Sequence, residues 1–531
     1  MPLASHDAGP LTPALPDTTI GQALDDAAAR FGDREALVSC AEELRWTYRQ
    51  LNAAVDDLAR GLVAAGVAKG DRVAIWSPNC AAWVLTQYAT AKLGAILVTV
   101  NPAYRAHELA YVLTQSGARM LVAAEGFKTS DYRSMVEQVR GDCPDLLRTV
   151  FLGTADWDEL TTVGQGKALD AADLSPDDPI NIQYTSGTTG FPKGATLSHR
   201  NILGNGFLVG ELCRYTERDR VCVPVPFYHC FGMVMGNLAA LTHGACIVIP
   251  APSFDPVATL EAVQAERCTS LYGVPTMFIA ELAVPAFDSF DLASLRTGIM
   301  AGAPCPVEVM KRVQLFMPEV TICYGMTETS PVSTQTTVDD TLERRVSTVG
   351  RVHPHVQVKI VDPVTGAVVD RGEPGEFCTK GYSVMLGYWG EPERTAEAVD
   401  ADGFMHTGDL AVMDADGYLS IVGRIKDLVI RGGENVYPRE IEEFLYTHPD
   451  VVDAQVIGVP DPRFGEELCA WVRLRDGSTL TPDTLRDWCR DKIAHYKVPR
   501  YVRITDEFPM TVTGKVQKFK MREQTVHELS L

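Results

Sequence analysis

The chain has 531 residues, of which 46% are hydrophobic and 22% charged, and this composition excludes a disordered or collagen-like chain. Its length exceeds what one hydrophobic core organises and predicts about three or four structural units. The 69 acidic residues outnumber the 48 Lys and Arg and give a net charge of -21, which argues against nucleic acid or an anionic membrane surface as a partner. A polyanionic substrate would therefore need a local basic site.

The cysteines and the apolar segments favour a cytoplasmic enzyme. Thirteen Cys are scattered singly without a CxxC pair, so neither disulfides nor a zinc site is predicted. The first residues lack the basic and apolar segments of a secretory signal. The most apolar stretch, residues 233–250, is interrupted by Asn237, Thr242 and His243 and falls short of a membrane span.

Hydrophobic spacing predicts alternating helices and strands from the start of the chain. Thr47 is a hydroxyl cap for a helix with an apolar residue at every third or fourth position, and Gly66 ends it. A strand at 72–76, a helix through Trp83 and Tyr88, and a strand at 95–100 follow. Further strands are predicted at 120–123, 246–249, 270–272 and 321–324. Strands that alternate with helices predict an α/β fold of helix-covered parallel sheets.

The pattern changes after residue 346. Short alternating strands with Gly and Pro turns (VQVKIVD, GAVVD, GEPGEF) predict a smaller β-rich unit. Beyond Arg424 we predict a strand, a helix at 438–446, two strands and a helix at 482–495. The predicted organisation is a large domain of residues 1–425, with its β-rich part at about 346–425, and a small α+β domain of residues 426–531.

The segment 184–194, here called the phosphate loop, has the composition of an anion-binding loop. Its glycines let backbone N–H groups approach an anion, its hydroxyls add donors, and Lys193 adds a charge. A plain surface turn is the alternative, but it would not explain the apolar strand followed by this set of groups. Pro192 and Gly194 flank the lysine and exclude a P-loop, which requires Gly before the Lys and Ser or Thr after it. The candidate phosphate ligands are Thr185, Ser186, Gly187, Thr188, Thr189 and Lys193.

The sequence resembles the adenylate-forming superfamily of acyl-CoA synthetases, adenylation domains and luciferases. Its signature YTSGTTGxPKG is matched in full, and GAP, YGMTE, TGD, GRIKD, RGGENVYPREIE and GKVQK follow in the family's order. PFYHCFGMVMG, VMLGYWGEP and GKVQKFKMRE look closest to the medium-chain fatty acyl-CoA synthetase branch. The resemblance implies that ATP and a carboxylic acid form acyl-AMP with magnesium, and that coenzyme A then takes the acyl group.

Each step of that chemistry has a suitable candidate residue. Tyr324 can lie on adenine beside a tight turn, Thr327 can donate to the α-phosphate, and Glu328 can hold Mg²⁺. Asp409 suits the ribose hydroxyls, and Arg424 suits ribose or phosphate. Further nucleotide-binding candidates are Gly302, Ala303, Pro304 and Gly325. Lys515 is the candidate for stabilising the charge that develops between the carboxylate and the α-phosphate.

The resemblance also implies an acyl pocket, a hinge and a thiol tunnel. His229 is a lone His in an apolar run, and it is a catalytic candidate that could act as a general base or bind a metal. No partner carboxylate or second His stands at ligand spacing, so we assign it to the pocket wall near the thiol route. The other pocket candidates are Phe231, Met235, Gly325, Pro331 and Val332. Lys426 is the expected hinge of a mobile C-terminal domain, and Gly432, Gly433 and Glu434 are expected to line the coenzyme A tunnel.

Two alternative functions stay open from the sequence. The enzyme could load the phosphopantetheine of a carrier protein, or activate an unusual oxyanion such as nitrite. A catalytically silent nucleotide-binding protein is the alternative of a different class, and the joint presence of Lys193, Glu328, Asp409, Arg424 and Lys515 weighs against it. The identity of the acid and the oligomeric state are not predicted.

Overall fold

The computed structural model describes residues 3–165, 169, 173–185, 192–303, 305–431, 434–490, 492–511, 516–529 and 531. Its first long helix, Tyr48–Ala64, begins as predicted, because the Thr47 hydroxyl accepts from the backbone N–H of Gln50 in a capping box. Gly66 follows the helix with φ +88°, a conformation that favours glycine. The cap and the stop both lie where the sequence predicts them.

Two large sheets form the N-terminal part of the described chain. One has seven strands in the spatial order Gly387–Tyr388, Lys193–Ser198, Pro179–Thr185, Ile96–Thr99, Arg72–Trp76, Met120–Ala123 and Arg148–Phe151. The other has nine, in the order Arg351–Val352, Val332–Gln335, Glu319–Gly325, Thr297–Ala301, Ser270–Gly273, Arg220–Cys222, Cys246–Ile249, Glu35–Ser39 and Leu44–Thr47. Gly126–Phe127 and Ser130–Asp131 form a small hairpin.

Two five-stranded sheets follow. The β-rich sheet has the order His6–Ala8, Val356–Val361, Gly375–Gly381, Met405–Met413 and Leu419–Arg424. The C-terminal sheet has the order Glu434–Val436, Val429–Arg431, Gly465–Leu474 and Val451–Asp461, and Tyr501–Ile504 pairs with Gly465–Leu474.

Helices lie between and outside the sheets. The α-helices are Ile20–Phe31, Tyr48–Ala64, Ala81–Leu93, Ala106–Ser116, Tyr132–Val139, Ala155–Thr162, His199–Leu212, Ala239–His243, Pro256–Glu266, Pro275–Leu282, Val307–Val313, Leu342–Ser347, Pro392–Ala398, Pro438–Leu445, Pro482–Cys489 and Lys518–Leu529. Short 3₁₀ turns lie at Arg140–Asp142, Phe287–Ser289, Thr327–Thr329, Ile425–Asp427 and His495–Lys497, and Phe231–Leu238 is a π-helix.

The strand Arg72–Trp76 shows why the large sheets are covered on both faces. Val73 and Ile75 enter the central core shared with the second sheet, whereas Ala74 and Trp76 enter a separate core on the opposite face. Because side chains alternate along a strand, a fully apolar strand requires apolar partners on both sides. The predicted α/β class is therefore confirmed.

The β-rich sheet differs from the prediction at two places. GAVVD forms only isolated bridges, Val361 with Val368 and Ala4 with Asp370, because the hairpin turn reverses the chain within these few residues. The segment His6–Ala8 instead supplies an edge strand that pairs with Val356–Val361. This strand was not predicted from the sequence.

The predicted helix at 482–495 is wrong at its C-terminal end. The helix stops at Cys489, and Arg490 is extended with ψ 143°. Leu485 and Cys489 are buried within the helix, whereas Ile493 and Tyr496 reach the same core from the segment after it, Tyr496 from the 3₁₀ turn His495–Lys497. Apolar spacing therefore continued beyond the helix because the following loop packs on the same core. In the described part of the chain, no helix is long and apolar enough to cross a membrane.

Candidate active site

The phosphate loop is carried by a hairpin of the seven-stranded sheet. Thr185 and Lys193 are cross-strand partners at the ends of its two strands, and the Thr185 hydroxyl donates to the Lys193 carbonyl at 3.4 Å. The candidate ligands Ser186, Gly187, Thr188 and Thr189 lie outside the described residues. The hairpin thus holds Thr185 and Lys193 side by side.

Tyr388 links Lys193 to Glu328. The Tyr388 hydroxyl donates to Glu328 Oε1 at 2.8 Å and accepts from Lys193 Nζ at 3.3 Å, and the ammonium lies 4.4 Å from the ring centre. Burial, and then the Glu328 carboxylate, raise the pKa of Tyr388, so the phenol stays protonated and able to donate. We call Lys193, Glu328 and Tyr388 the Glu328 cluster.

The Glu328 cluster has the chemistry of a magnesium site. Glu328 is only 4% exposed, and its carboxylate offers about four acceptor positions, of which Tyr388 uses one. Carboxylate and phosphate oxygens are the ligands that Mg²⁺ prefers. The residues therefore fit the ion that the family resemblance implies.

A tight turn places Thr327 and Glu328 at the end of the strand Glu319–Gly325. A Cβ on Gly325 would lie 1.7 Å from the Pro331 carbonyl oxygen, so only glycine fits. The Met326 N–H donates to that same oxygen at 3.0 Å, and the 3₁₀ turn Thr327–Thr329 follows. Thr327 is 9% exposed within this turn.

Asp409 holds the second cluster together. It is 6% exposed, its Oδ2 accepts from the Tyr324 hydroxyl at 2.7 Å, and its Oδ1 lies 2.8 Å from Arg424 Nε. Asp409 and Arg424 are cross-strand partners, which explains their close approach. Burial, and then Asp409, raise the pKa of Tyr324, whose ring packs edge-on against Phe377 at 4.9 Å. We call Tyr324, Asp409 and Arg424 the Asp409 cluster.

The predicted adenine turn lies beside this cluster. Gly302 and Ala303 follow the strand Thr297–Ala301, which runs parallel to Glu319–Gly325 with Ala301 opposite Cys323. Gly302 has φ +88°. Because the carboxyl ends of parallel strands share one sheet edge, the turn and Tyr324 lie at the same edge. Pro304 lies outside the described residues.

Three of the candidate acyl-pocket residues, Phe231, Met235 and Val332, belong to the central core. Phe231 and Met235 lie on the buried π-helix Phe231–Leu238, a form that is frequent at functional sites. The Phe231 ring stacks with Tyr272 at 5.6 Å, and the Tyr272 hydroxyl donates to the Met235 carbonyl at 2.9 Å. His229 Nδ1 accepts from the Phe231 N–H at 3.1 Å.

Pro331 and Val332, two further pocket candidates, are also buried. Asn205 holds Val332 through paired hydrogen bonds of 2.9 and 3.1 Å to its carbonyl and N–H. Asn205 lies on the helix His199–Leu212, which also packs on the π-helix. One helix therefore contacts both sets of pocket candidates.

The candidates of the C-terminal part are only partly described. Lys426 is exposed in the short turn directly after Arg424, and Glu434 is exposed at the start of Glu434–Val436. Gly432, Gly433 and Lys515 lie outside the described residues. Arg439 connects this part to the β-rich sheet, since its Nη1 donates to the Ile421 carbonyl at 2.9 Å.

Tyr388 is the site residue that the sequence analysis missed. It stands in VMLGYWGEP, which served only to identify the branch. No local pattern predicts that this phenol meets Glu328, because the two residues are 60 positions apart and the strand Gly387–Tyr388 joins a different sheet.

Two acid-containing clusters near one turn define a site suited to a nucleotide with a sugar and a polyphosphate. Residues 24–389 match the model of the AMP-binding enzyme family, and residues 440–515 match that of the AMP-binding enzyme C-terminal domain. The chain belongs to this family.

Individual relatives cover nearly the whole chain. The putative acyl-CoA synthetase YngI of Bacillus subtilis is 49% identical, over 97% of this chain and 98% of its own length. The mitochondrial medium-chain acyl-CoA ligase ACSF2 of Bos taurus is 45% identical, over 97% of this chain and 89% of its own. The crystal structure of ATP-bound MatB from Rhodopseudomonas palustris is 31% identical with a TM-score of 0.88, and the match covers 97% of this chain and all of that one.

Proposed function

We propose that the chain is an ATP-dependent, AMP-forming acid:CoA ligase that acts on an apolar carboxylic acid of medium chain length. The supporting observation is that one short chain segment contributes to both the Glu328 cluster and the Asp409 cluster. Tyr324 is the penultimate residue of the strand Glu319–Gly325, and the turn that follows this strand carries Glu328. One chain segment therefore carries Tyr324, which holds the Asp409 carboxylate assigned to the sugar, and Glu328, the carboxylate assigned to the cation.

In the first half-reaction, the acid's carboxylate attacks the α-phosphate and pyrophosphate leaves. We assign the ribose hydroxyls to Asp409, adenine to the face of Tyr324, and the departing β- and γ-phosphates to the phosphate loop with Lys193. Mg²⁺ held by Glu328 would offset phosphate charge. Thr327 and Lys515 are assigned to the α-phosphate, where positive charge and donors stabilise the transition state.

In the second half-reaction, the thiol of coenzyme A displaces AMP from the acyl group. We propose that a C-terminal domain of residues 426–531 turns about Lys426, removes Lys515 from the α-phosphate and brings the segment of Gly432, Gly433 and Glu434 to the thiol route. Small residues leave room for pantetheine there. His229 would line that route.

The acyl pocket assignment is supported by apolar packing. Phe231, Met235 and Val332 are buried in one core, and charged side chains are absent from the π-helix that carries the first two. An apolar acid tail gains free energy when it is transferred from water to such surroundings. The names of the relatives YngI and ACSF2 support coenzyme A as the acceptor and do not favour carrier loading or nitrite. The unpaired cysteines support a cytoplasmic location.

The test is AMP release with a panel of straight-chain acids from acetate to palmitate, plus benzoate and a dicarboxylate, each with and without coenzyme A. The proposal predicts the highest kcat/KM for medium-length chains and AMP release that requires coenzyme A. A preference for benzoate or the dicarboxylate would overturn the substrate class. Turnover with a phosphopantetheinylated carrier but not with coenzyme A would overturn the acceptor.

A further inference from the structure

Glu376, Cys378 and His406 converge on one face of the β-rich sheet, and we call them the Cys378 cluster. Cys378 and His406 are direct partners on neighbouring antiparallel strands, so their side chains share a face. His406 Nδ1 lies 3.4 Å from Cys378 Sγ and 2.9 Å from Glu376 Oε2. One ligand atom from each residue lies within 4.8 Å of the other two.

These atoms and distances suit a tetrahedral metal ion. Zn²⁺ binds sulfur, imidazole nitrogen and carboxylate oxygen at about 2.0–2.3 Å, which separates tetrahedral ligands by about 3.3–3.6 Å. Only small side-chain shifts would bring the Cys378 cluster to those separations. A thiolate and an imidazole select a borderline-soft transition metal over Mg²⁺.

The surroundings of His406 also match a metal-binding histidine. Ligating histidines donate their second ring N–H to a carboxylate, which orients the ring. Asp400 Oδ2 lies 3.5 Å from His406 Nε2, and Lys359 Nζ lies 3.1 Å from the same oxygen. The backbone N–H of Phe404 donates to Asp400 Oδ1 at 2.8 Å, so Asp400 is itself held in place.

Two effects oppose binding. Burial, and then Glu376, raise the pKa of the Cys378 thiol to about 12, so an incoming metal has to displace the thiol proton. The metal also replaces the hydrogen bond between His406 and Glu376.

The Cys378 cluster contacts the backbone that positions Asp409. His406 directly precedes Thr407, Gly408 and Asp409, and the Gly408 N–H donates to Glu376 Oε1 at 3.1 Å. A metal that draws Glu376 toward itself would change this hydrogen bond. The metal would then shift the position of the ribose and so change the affinity for nucleotide. By thermodynamic linkage, the nucleotide would change the affinity for the metal by the same factor.

We propose that Glu376, Cys378 and His406 bind a borderline-soft divalent metal such as Zn²⁺, with Asp400 orienting His406, and that this site is coupled to nucleotide binding through Gly408. The site is separate from Glu328. The coupling rests on the proposed role of Asp409, whereas the metal site itself does not. No zinc site was predicted from the sequence, because the ligands lack CxxC spacing and meet only through strand pairing.

The experiment is a Co²⁺ titration of the full chain, followed by Zn²⁺ competition, with the metal-free protein as the starting point. Co²⁺ bound to a thiolate gives a sulfur-to-metal charge-transfer band, which reports Cys378 directly. The variants are Cys378→Ser, His406→Gln and Asp400→Asn. Cys489→Ser is the matched control, because Cys489 is also a buried thiol but lies in the C-terminal part.

We expect one Co²⁺ per chain and a charge-transfer band that Zn²⁺ abolishes. Cys378→Ser and His406→Gln should lose the band, Asp400→Asn should weaken affinity by about 10–100-fold, and Cys489→Ser should retain wild-type binding. A missing band, or an unchanged band in Cys378→Ser, would overturn the site. The same titration with saturating AMP should give a different metal affinity. An identical affinity with and without AMP would overturn the coupling. That result would contradict neither the metal site nor the ligase proposal.

Discussion

The substitution Tyr388→Phe removes one hydroxyl from the centre of the Glu328 cluster and leaves the ring under Lys193. Tyr388 is 5% and Glu328 4% exposed, so water screens their 2.8 Å hydrogen bond little. A hydrogen bond to a charged group contributes about 1.5–3 kcal/mol. Because about 1.4 kcal/mol corresponds to tenfold in rate, kcat/KM for acyl-AMP formation should fall by about 10–150-fold.

The assay is acid-dependent exchange of labelled pyrophosphate into ATP over a range of Mg²⁺ concentrations. The variant should also need more Mg²⁺ for half-maximal exchange, because the carboxylate is less well oriented. Tyr446→Phe is the matched control, since the Tyr446 hydroxyl donates to the buried Asp453 carboxylate in the C-terminal part. Equal exchange rates in Tyr388→Phe and Tyr446→Phe, with both variants folded, would refute the positioning role.

Three further variants test other parts of the account. Lys515→Ala should lower the rate of acyl-AMP formation by about 10²–10³-fold and leave thioester formation from supplied acyl-AMP unchanged. The exposed Lys520→Ala is the control. Equal loss of both steps would contradict the assignment of Lys515 to the first half-reaction alone. Lys426→Pro should form acyl-AMP but stall before the thioester, and full turnover by it would contradict the hinge. Burial lowers the pKa of His199 to about 4. The unfolded chain protonates this group near pH 6.5, so the unfolded state binds more protons between those values and stability falls as pH falls. Between pH 7 and pH 4, the free energy of unfolding measured in urea should therefore fall by about 3 kcal/mol less in His199→Asn than in the wild type. The exposed His527→Asn should follow the wild type.

Local patterns were sufficient for much of the fold. The capped helix at Thr47, the strand Arg72–Trp76 and the change to short strands after residue 346 follow from hydrophobic period and turn residues. The edge strand His6–Ala8 was missed, because its partner lies some 350 residues away and nothing in three residues specifies that pairing. The helix after Pro482 was overextended because a loop can bury apolar residues at helical spacing.

The residues of the candidate site could also be predicted only in part from the sequence. Motif residues such as Asp409 and Glu328 could be named from the sequence, since their chemistry and their motifs are local. Tyr324 and Arg424, the partners of Asp409, also belong to motifs, but the partner of Glu328 could not be named in advance. Tyr388 meets Glu328 through the packing of one sheet against another, and Glu376 meets His406 through strand register. Such contacts depend on tertiary structure and carry no local signal.

The most direct test of the central claim follows the oxygen atoms of the acid. The enzyme is given a medium-chain acid with ¹⁸O in its carboxylate, together with ATP, Mg²⁺ and coenzyme A, and the nucleotide product is analysed by mass spectrometry. Attack of the carboxylate on the α-phosphate predicts AMP that carries one labelled oxygen, together with acyl-CoA in equal amount. Unlabelled AMP, or ADP as the nucleotide product, would contradict activation through acyl-AMP.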